Sequence, residues 1–156
     1  MIPRIKKWIF ALLLLSIAVY SAAFPLPALI LRDSSGAVLY KFYISPGDSF
    51  ILSFIHSVEN TPVEDEYRGV NGRIRLWEER TVSHNAGLPS EAPRNGRFIM
   101  GPDWMHVRGG GQSLSLMRYR VGNERHGRNV LIFLDKNKIP LFEKHPLSVI
   151  EFSIRR

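Results

Sequence analysis

The densest run of side chains that could do chemistry lies at residues 56–67, which hold a histidine, four acids and a tyrosine. Histidine beside carboxylates can serve general acid–base catalysis, and beside serine it can serve nucleophilic catalysis. His56 and Ser57 are neighbours, however, and neighbouring side chains of a strand face opposite sides of the sheet. The chain also lacks the G-x-S-x-G turn that exposes a catalytic serine. We therefore assign no catalytic residue and treat the run as a candidate binding site.

His56 extends the alternating apolar row of residues 50–54, so we expect it at the rim of the hydrophobic core. A histidine in such a place usually bonds to the backbone or to a carboxylate. If the chain turns after His56, the nearest acids are Glu59, Glu64 and Asp65. The sequence leaves three interpretations open, namely a structural role, contact with a ligand and metal ligation.

The three consecutive acids at residues 64–66 are separated by the alternation of a strand. Glu64 and Glu66 would share one face, and Asp65 would lie on the other. Such a run usually marks a charged edge strand that resists aggregation. An inward Asp65 held by His56 or by an arginine would instead form a buried pair and a candidate site.

A second candidate stretch lies at residues 86–89, where glycine precedes Leu-Pro. That order predicts a residue of positive φ followed by extended chain, a geometry that can aim backbone amides at a ligand. The glycine run at 109–111, by contrast, lacks the lysine and the strand–helix context of a phosphate loop. The ligand- or partner-binding candidates are His56, Ser57, Glu59, Thr61, Pro62, Glu64, Asp65, Tyr67, Gly87, Leu88 and Pro89.

Local spacing predicts no metal site and no cofactor. The chain has no cysteine, which excludes disulfides and thiolate ligands. None of the histidines is paired at H-x-H, H-x-x-x-H or H-E-x-x-H spacing. The histidines are His56, His84, His106, His126 and His145.

Residues 1–23 follow the three-part plan of a secretory signal, with a positive start, an apolar run and small residues at 21–23. Cleavage after Ala23 would release the domain, whereas an uncleaved leader would anchor it in the membrane. The 16 residues from Trp8 would form a helix of about 24 Å, shorter than a hydrocarbon core of roughly 30 Å. Both alternatives predict an extracytoplasmic domain, either periplasmic or on the outer face of the cytoplasmic membrane.

The remaining chain, residues 28–156, predicts one all-β domain. Its apolar residues alternate with period two, and turn residues separate the segments. Asn71-Gly72 is a hairpin signal, and Ile150, Phe152 and Ile154 form the inward row of the last strand. We predict a single antiparallel β-sandwich or partly open β-barrel of about eight strands, preceded by one N-terminal hydrophobic helix.

Residues 84–112 lack this alternation and are rich in glycine and proline. They predict a long loop, and loops of this length in compact domains are usually functional or disordered. A partly ordered lid or binding loop and a mobile insertion are both compatible with the sequence. Trp104, Met105 and His106 favour the ordered alternative, because a linker seldom carries such residues.

The charge pattern argues against nucleic acid as a partner. The formal net charge is +7, but without the leader 18 lysines and arginines face 14 acids. The arginines are scattered, whereas a nucleic-acid-binding protein usually gathers its basic residues on one face.

Two stretches of the chain resemble a family of small exported bacterial proteins of unknown function. The first is residues 56–67, with His-Ser-Val, Thr-Pro-Val, three acids and a tyrosine, and the second is Ala-Gly-Leu-Pro at 86–89. Genes of that family commonly lie beside TAXI-type TRAP transporters, which are sodium-coupled uptake systems with an extracytoplasmic binding protein. The resemblance spans most of residues 28–154. At position 85, where the family pattern leads us to expect glycine, this chain has Asn85.

The resemblance implies an association with solute uptake and no particular mechanism. The first hypothesis is therefore a non-enzymatic accessory module that docks on the transporter's membrane subunit or on its solute-binding protein. The alternative is a small-ligand binding protein or hydrolase that uses His56 with nearby carboxylates. An uncleaved leader would add the membrane as a partner.

Overall fold

A computed structural model of the chain describes residues 4–23, 26–83, 91–133 and 137–155. The described chain is mostly β. Its helices are α1 (Arg4–Ala23) and α2 (Leu141–Lys144). Its strands are β1 (Ala28–Arg32), β2 (Val38–Tyr43), β3 (Ser49–Ile55), β4 (Pro62–Val70), β5 (Arg73–Thr81), β6 (Gly96–Met100), β7 (Met105–Gly109), β8 (Ser113–Leu114), β9 (Met117–Arg120), β10 (Gly127–Ile132), β11 (Lys138–Pro140) and β12 (Val149–Arg155).

The strands form two antiparallel sheets. The smaller sheet has four strands in the order β2-β1-β12-β9. The larger sheet has eight strands, with the order β11-β10-β3-β4-β5-β7-β6 and β8 paired to β5. The described strands form no closed barrel. The prediction of a mostly β domain is thereby confirmed, and the arrangement of two sheets is sandwich-like.

The hydrophobic core lies between the two sheets and draws on both. Leu29 and Phe152 come from the smaller sheet, and Leu52 and Ile74 come from the larger one. Phe152 is fully buried, and its ring stacks on that of Phe50 with 5.8 Å between centroids. Aromatic stacking of this kind adds to the free energy gained by apolar burial.

The hairpin between β4 and β5 turns at Asn71-Gly72, as the sequence predicts. Both residues have positive φ, 52° and 72°, which a two-residue hairpin turn of the primed type requires. The inward row of β12 is also confirmed, because Ile150, Phe152 and Ile154 are all buried. Local turn chemistry and strand alternation therefore specify these elements.

Three expectations need correction. Strand β4 lies between β3 and β5, so the acids at 64–66 do not mark an edge strand. Part of the long loop predicted at 84–112 is a hairpin, since β6 and β7 pair from Gly96 to Gly109. The described strands number twelve rather than about eight, because several short strands extend both sheets.

Helix α1 covers the segment predicted as a leader. Its described side chains, at 7–17 and 19, are exposed. Within the described residues, no helix meets the length and apolarity that crossing a membrane requires. The assignment of residues 1–23 to a signal peptide or anchor stays a prediction.

Replacing Phe152 with alanine should destabilise the domain by about 3–5 kcal/mol, because the substitution would leave a cavity in the core where the two sheets meet. Val38 is 55% exposed at the edge of the smaller sheet, and Val38→Ala should change stability by less than about 0.5 kcal/mol. Urea unfolding followed by circular dichroism measures both variants. Equal losses of stability would contradict a core centred on Phe152.

Candidate ligand-binding site

Two carboxyl side chains occupy an otherwise apolar row on the inner face of the larger sheet. The strand registers align Leu131, Leu52, Asp65, Glu79 and Val107 across β10, β3, β4, β5 and β7. The three apolar members of this row are buried. The alternation of β4 and β5 therefore directs a pair of acids toward the core rather than toward solvent.

The pair formed by Asp65 and Glu79 carries polar atoms that lack partners. The Tyr67 hydroxyl donates to Asp65 Oδ2 at 3.3 Å. Within the described parts of the chain, Asp65 Oδ1 and Glu79 Oε1 are buried and accept no hydrogen bond. An unpaired buried polar atom is costly, so this arrangement favours a bound proton or a bound ligand.

Burial changes the protonation of the pair. Burial first, and the nearby Glu79 second, raise the pKa of Asp65 to about 7. Burial also raises the pKa of Glu79. Two facing carboxyls titrate as a coupled pair, so near neutral pH the pair carries fewer than two negative charges.

Further polar groups from the smaller sheet and from β10 surround the pair. Tyr119 lies on β9, and its hydroxyl accepts a hydrogen bond of 2.6 Å from Asn129 Nδ2. Burial raises the pKa of both Tyr67 and Tyr119, and the charge of Asp65 adds to the effect. Both phenols therefore stay neutral and can donate hydrogen bonds in the layer between the sheets.

A cavity of about 370 Å³ adjoins this polar layer. Its walls include Tyr67, Trp77, Glu79, Glu91 and the glycine run 109–111. Apolar walls with a few polar groups are typical of sites for small molecules, and the volume falls in the range of such sites.

A β-bulge lies at Trp77, one of the residues that line this cavity. The register of β4 and β5 shifts between Glu66 and Tyr67, which leaves Trp77 as the extra residue on β5. Bulges often redirect side chains beside functional sites. The Arg68 guanidinium lies 4.0 Å from the centre of the Trp77 ring, a cation–π contact that fixes one face of the indole.

The glycine run explains how the cavity wall packs so closely. A Cβ added at Gly111 would overlap the backbone carbonyl of Leu76, and Gly110 has a positive φ of 65°. A side chain at Gly111 would therefore clash, and a residue other than glycine at position 110 would be strained. The sequence shows only that this run is not a phosphate loop. The structure gives it a packing role beside the cavity.

The structure separates His56 from the carboxyls that were its expected partners. His56 Nδ1 accepts a hydrogen bond from the backbone N–H of Glu59 at 3.3 Å. The ring borders a second cavity of about 510 Å³ with Ser57, Arg120 and His126. No acid is among the described residues that line this cavity. His56 therefore has the predicted backbone partner but not the predicted carboxylate partner.

On the outer face of the larger sheet, acids are neutralised by arginines. Glu64 and Glu66 both bind Arg80, at 3.0 and 3.1 Å. This confirms that they share a face opposite Asp65. They lie in ion pairs of a central strand, so they offer no open carboxylate to a ligand.

Glu78 lies at the centre of the same network and is 3% exposed. It pairs with His106 Nδ1 at 2.7 Å and with the Arg108 guanidinium, whose Nε lies 2.6 Å away. Burial opposes ionisation of Glu78, but the hydrogen bonds from His106 and Arg108 prevail and lower its pKa. Glu78 is thus held ionised by its partners on the outer face.

Glu59, Thr61 and Pro62 are not among the described residues that line the cavity of 370 Å³. The Glu59 carboxylate accepts a hydrogen bond from Ser83 Oγ at 3.2 Å. Thr61 Oγ1 is buried and finds no partner among the described residues, and Pro62 begins β4 opposite Ile55. The remaining three, Gly87, Leu88 and Pro89, lie outside the described residues.

Metal binding gains no support from the described side chains. Across residues 4–23, 26–83, 91–133 and 137–155, no three His, Asp or Glu side chains form a group that could hold a metal ion. His145 instead contacts the Tyr40 hydroxyl, at 3.0 Å from its Nε2.

Comparison with known proteins gives one match. Residues 50–141 match the family model described as Domain of unknown function (DUF1850). Neither the curated proteins nor the solved structures contain a match. The matched range includes Asp65, Tyr67, Trp77 and Glu79, and it ends before β12.

Asp65→Asn should stabilise the domain at pH 8 by about 1–3 kcal/mol and have almost no effect at pH 4. The folded-state pKa of Asp65 lies above its unfolded value, so the folded state binds the proton more tightly. Stability of the parent should therefore fall as pH rises from about 4 to 7. The asparagine side chain of the Asp65→Asn variant does not ionise, so the variant should not lose this stability as pH rises.

Urea unfolding at pH 4, 6 and 8 measures the effect. Glu124, whose side chain is 71% exposed, provides the control, and Glu124→Gln should leave the pH profile unchanged. Parallel profiles for the parent and Asp65→Asn would show that Asp65 titrates normally.

Proposed function

We propose that this chain, which belongs to the family described as Domain of unknown function (DUF1850), is a non-enzymatic module that binds a small ligand outside the cytoplasm. The observation that carries the proposal is the cavity lined by Tyr67, Trp77 and Glu79, with Asp65 opposite Glu79 in the strand pair. A buried carboxyl pair in an apolar face costs stability, and a ligand that pairs with it would offset that cost.

The residues that line this cavity favour ligand binding over hydrolysis through a catalytic nucleophile. Its described residues offer carboxyls, a phenol, an indole and an amide, and include no histidine, serine or threonine. The alternative of a hydrolase built on His56 lacks this support, because His56 bonds to the Glu59 backbone whereas Asp65 bonds to Tyr67. Ligand binding needs only the cavity and its polar groups.

The proposed place of action rests on sequence. The plan of residues 1–23 supports export, with the leader either cleaved after Ala23 or kept as a membrane anchor. The resemblance at residues 56–67 and 86–89 supports an association with a TRAP-type uptake system. In this proposal the module serves as an accessory that senses or delivers a solute to the transporter.

Leu114→Trp should block the cavity and weaken ligand binding at least about tenfold, because Leu114 forms part of its wall. Leu116 lies two residues away and outside the lining, so Leu116→Trp is the matched control. Thermal-shift screening of small polar metabolites, followed by calorimetry on the hits, measures binding to the parent and both variants. Circular dichroism confirms that each variant is folded.

Two results would contradict the proposal. Hits that bind the Leu114→Trp variant as tightly as the parent would locate binding elsewhere. A broad panel that gives no hit with the folded parent would remove the reason to regard the cavity as a ligand site.

Docking on a transporter subunit is a second candidate function, and the edge of the larger sheet favours it. Strand β6 ends that sheet among the described strands, and its Ile99 and Met100 are 40% and 67% exposed. An exposed apolar edge can pair with a strand of another protein. The proposed partners are the membrane subunit of the transporter and its solute-binding protein.

Met100→Lys should abolish recovery of a transporter subunit in a pull-down from membranes that contain the transporter, because it places a charge on the docking edge. Val38→Lys alters the exposed edge of the smaller sheet and should retain the subunit. Failure of the parent to recover a subunit that is present would count against docking.

A further inference from the structure

We infer that the end of the β domain from which β1 starts docks on an anionic lipid surface through unpaired cations and exposed apolar side chains. We call this surface the leader end, and it consists of Leu26, Lys41, Tyr43, Val70, Arg73 and Arg155. The inference goes beyond the proposed function, because it concerns how the module is placed and not what its cavity binds.

The strand registers bring these residues to one end of the sandwich. In the smaller sheet, Ala28 at the start of β1 pairs with Tyr43 at the end of β2 and with Arg155 at the end of β12. The larger sheet reaches the same end at Gly69 of β4, where a Cβ would lie 3.1 Å from Cδ1 of Ile154. The β4–β5 turn that follows Gly69 therefore lies at this end as well.

Apolar side chains of the leader end are exposed. Leu26 is 68% exposed and Tyr43 is 65% exposed, and Val70 is also exposed. Exposed apolar side chains that gather at one end of a domain are typical of contact sites for membranes or for other proteins. The tyrosine favours a membrane, because its ring and hydroxyl suit the boundary between hydrocarbon and water.

Three cations accompany the apolar side chains. Lys41, Arg73 and Arg155 are exposed, and none of them forms an ion pair with a described residue. Lys41 Nζ lies 5.0 Å from the centre of the Tyr43 ring, and the Arg73 guanidinium donates hydrogen bonds to Ser113. These contacts hold the cations in place but leave their charge uncompensated.

Uncompensated positive charge selects anionic over neutral lipid. A lysine or arginine near an anionic membrane surface raises affinity about fivefold, so three cations give a preference on the order of a hundredfold. The acid of the neighbouring turn, Asp48, accepts a hydrogen bond of 2.7 Å from the Ser45 backbone N–H. Cations therefore outnumber the acid of that turn at the leader end.

The position of this surface in the chain supports a membrane as the partner. β1 begins at Ala28, five residues after α1 ends at Ala23, and an extended segment of that length reaches about 18 Å at most. Helix α1 carries exposed apolar side chains from Trp8 to Val19. A leader kept in a bilayer would hold the leader end near its surface. A cleaved leader would leave the same cations and apolar side chains on the domain.

Fluorescent labels at the two ends of the domain test the inference. The chain has no cysteine, so Ser45→Cys and Ser57→Cys each provide a single attachment point. Both serines are exposed, and they precede and follow β3, so they lie at opposite ends of that strand. The labelled full chain is mixed with vesicles of phosphatidylcholine alone or of equal parts phosphatidylcholine and phosphatidylglycerol. Acrylamide quenching measures how far each label is shielded from water.

The label at position 45 should be shielded more strongly by the vesicles that contain phosphatidylglycerol than by phosphatidylcholine alone. The label at position 57 should stay open to acrylamide in both. High salt should remove the difference between the two lipids, because it screens the exposed cations.

A pair of arginine variants tests the role of the leader end itself. Arg155→Gln should raise the concentration of anionic lipid needed for half-maximal shielding about fivefold. Arg125→Gln is the matched control, since Arg125 is exposed and lies just before Gly127, which pairs with Ile55 at the far end of β3. It should leave that concentration unchanged. Circular dichroism confirms that both variants are folded.

Three results would overturn the inference. Equal shielding of the label at position 45 by both kinds of vesicle would show that lipid charge plays no part. Equal shielding of the labels at positions 45 and 57, or equal losses from Arg155→Gln and Arg125→Gln, would show that the overall charge of the chain attracts the lipid. None of these results bears on the cavity of 370 Å³, whose test is the binding of metabolites.

Discussion

The burial of Asp65 against Glu79 is the constraint on which the rest of this structure depends. A carboxylate in an apolar face is expensive unless it is neutral, hydrogen-bonded or paired with a cation. Tyr67 supplies one hydrogen bond, and a raised pKa of about 7 supplies a proton on Asp65 near neutral pH. Asp65 Oδ1 and Glu79 Oε1 are unpaired in the described chain, and Glu79 is one of the residues that line a cavity. The fold thus retains a polar pair that packing alone would replace with leucines.

Strand alternation sorts the acids of β4 and β5 into two environments. On the outer face, Glu64, Glu66 and Glu78 pair with arginines or with histidine. On the inner face, the described structure shows no ion pair at Asp65 or Glu79. The outer arginines are engaged on the opposite side of the sheet, and burial raises the pKa of both inner carboxyls. Strand alternation therefore determines which acids are paired within the protein and which are not.

Prediction from the sequence succeeded for elements that depend on turn residues and strand alternation. It failed for β5, where a β-bulge interrupts the alternation. The turn at 71–72 and the inward row of β12 follow from turn chemistry and alternation. Asp65 was recognised as a possible inward residue for the same reason. Glu79 was missed because alternation from Ile74 would place Glu78 inward, whereas the bulge at Trp77 reverses the phase of β5. The hairpin at 96–109 was missed because its strands are short, although buried Met105 and Val107 do alternate with His106 and Arg108.

The titration of the two inner carboxyls tests the account most directly. Carboxyl ¹³C resonances of Asp65 and Glu79, assigned through Asp65→Asn and Glu79→Gln, can be followed by NMR across the range of pH. We expect Asp65 to titrate near 7 and Glu79 above its ordinary value, with each resonance sensing the other's proton. Two independent titrations near the value of about 4 that exposed carboxyls show would mean that the pair is solvated. The polar cavity would then lose its physical basis.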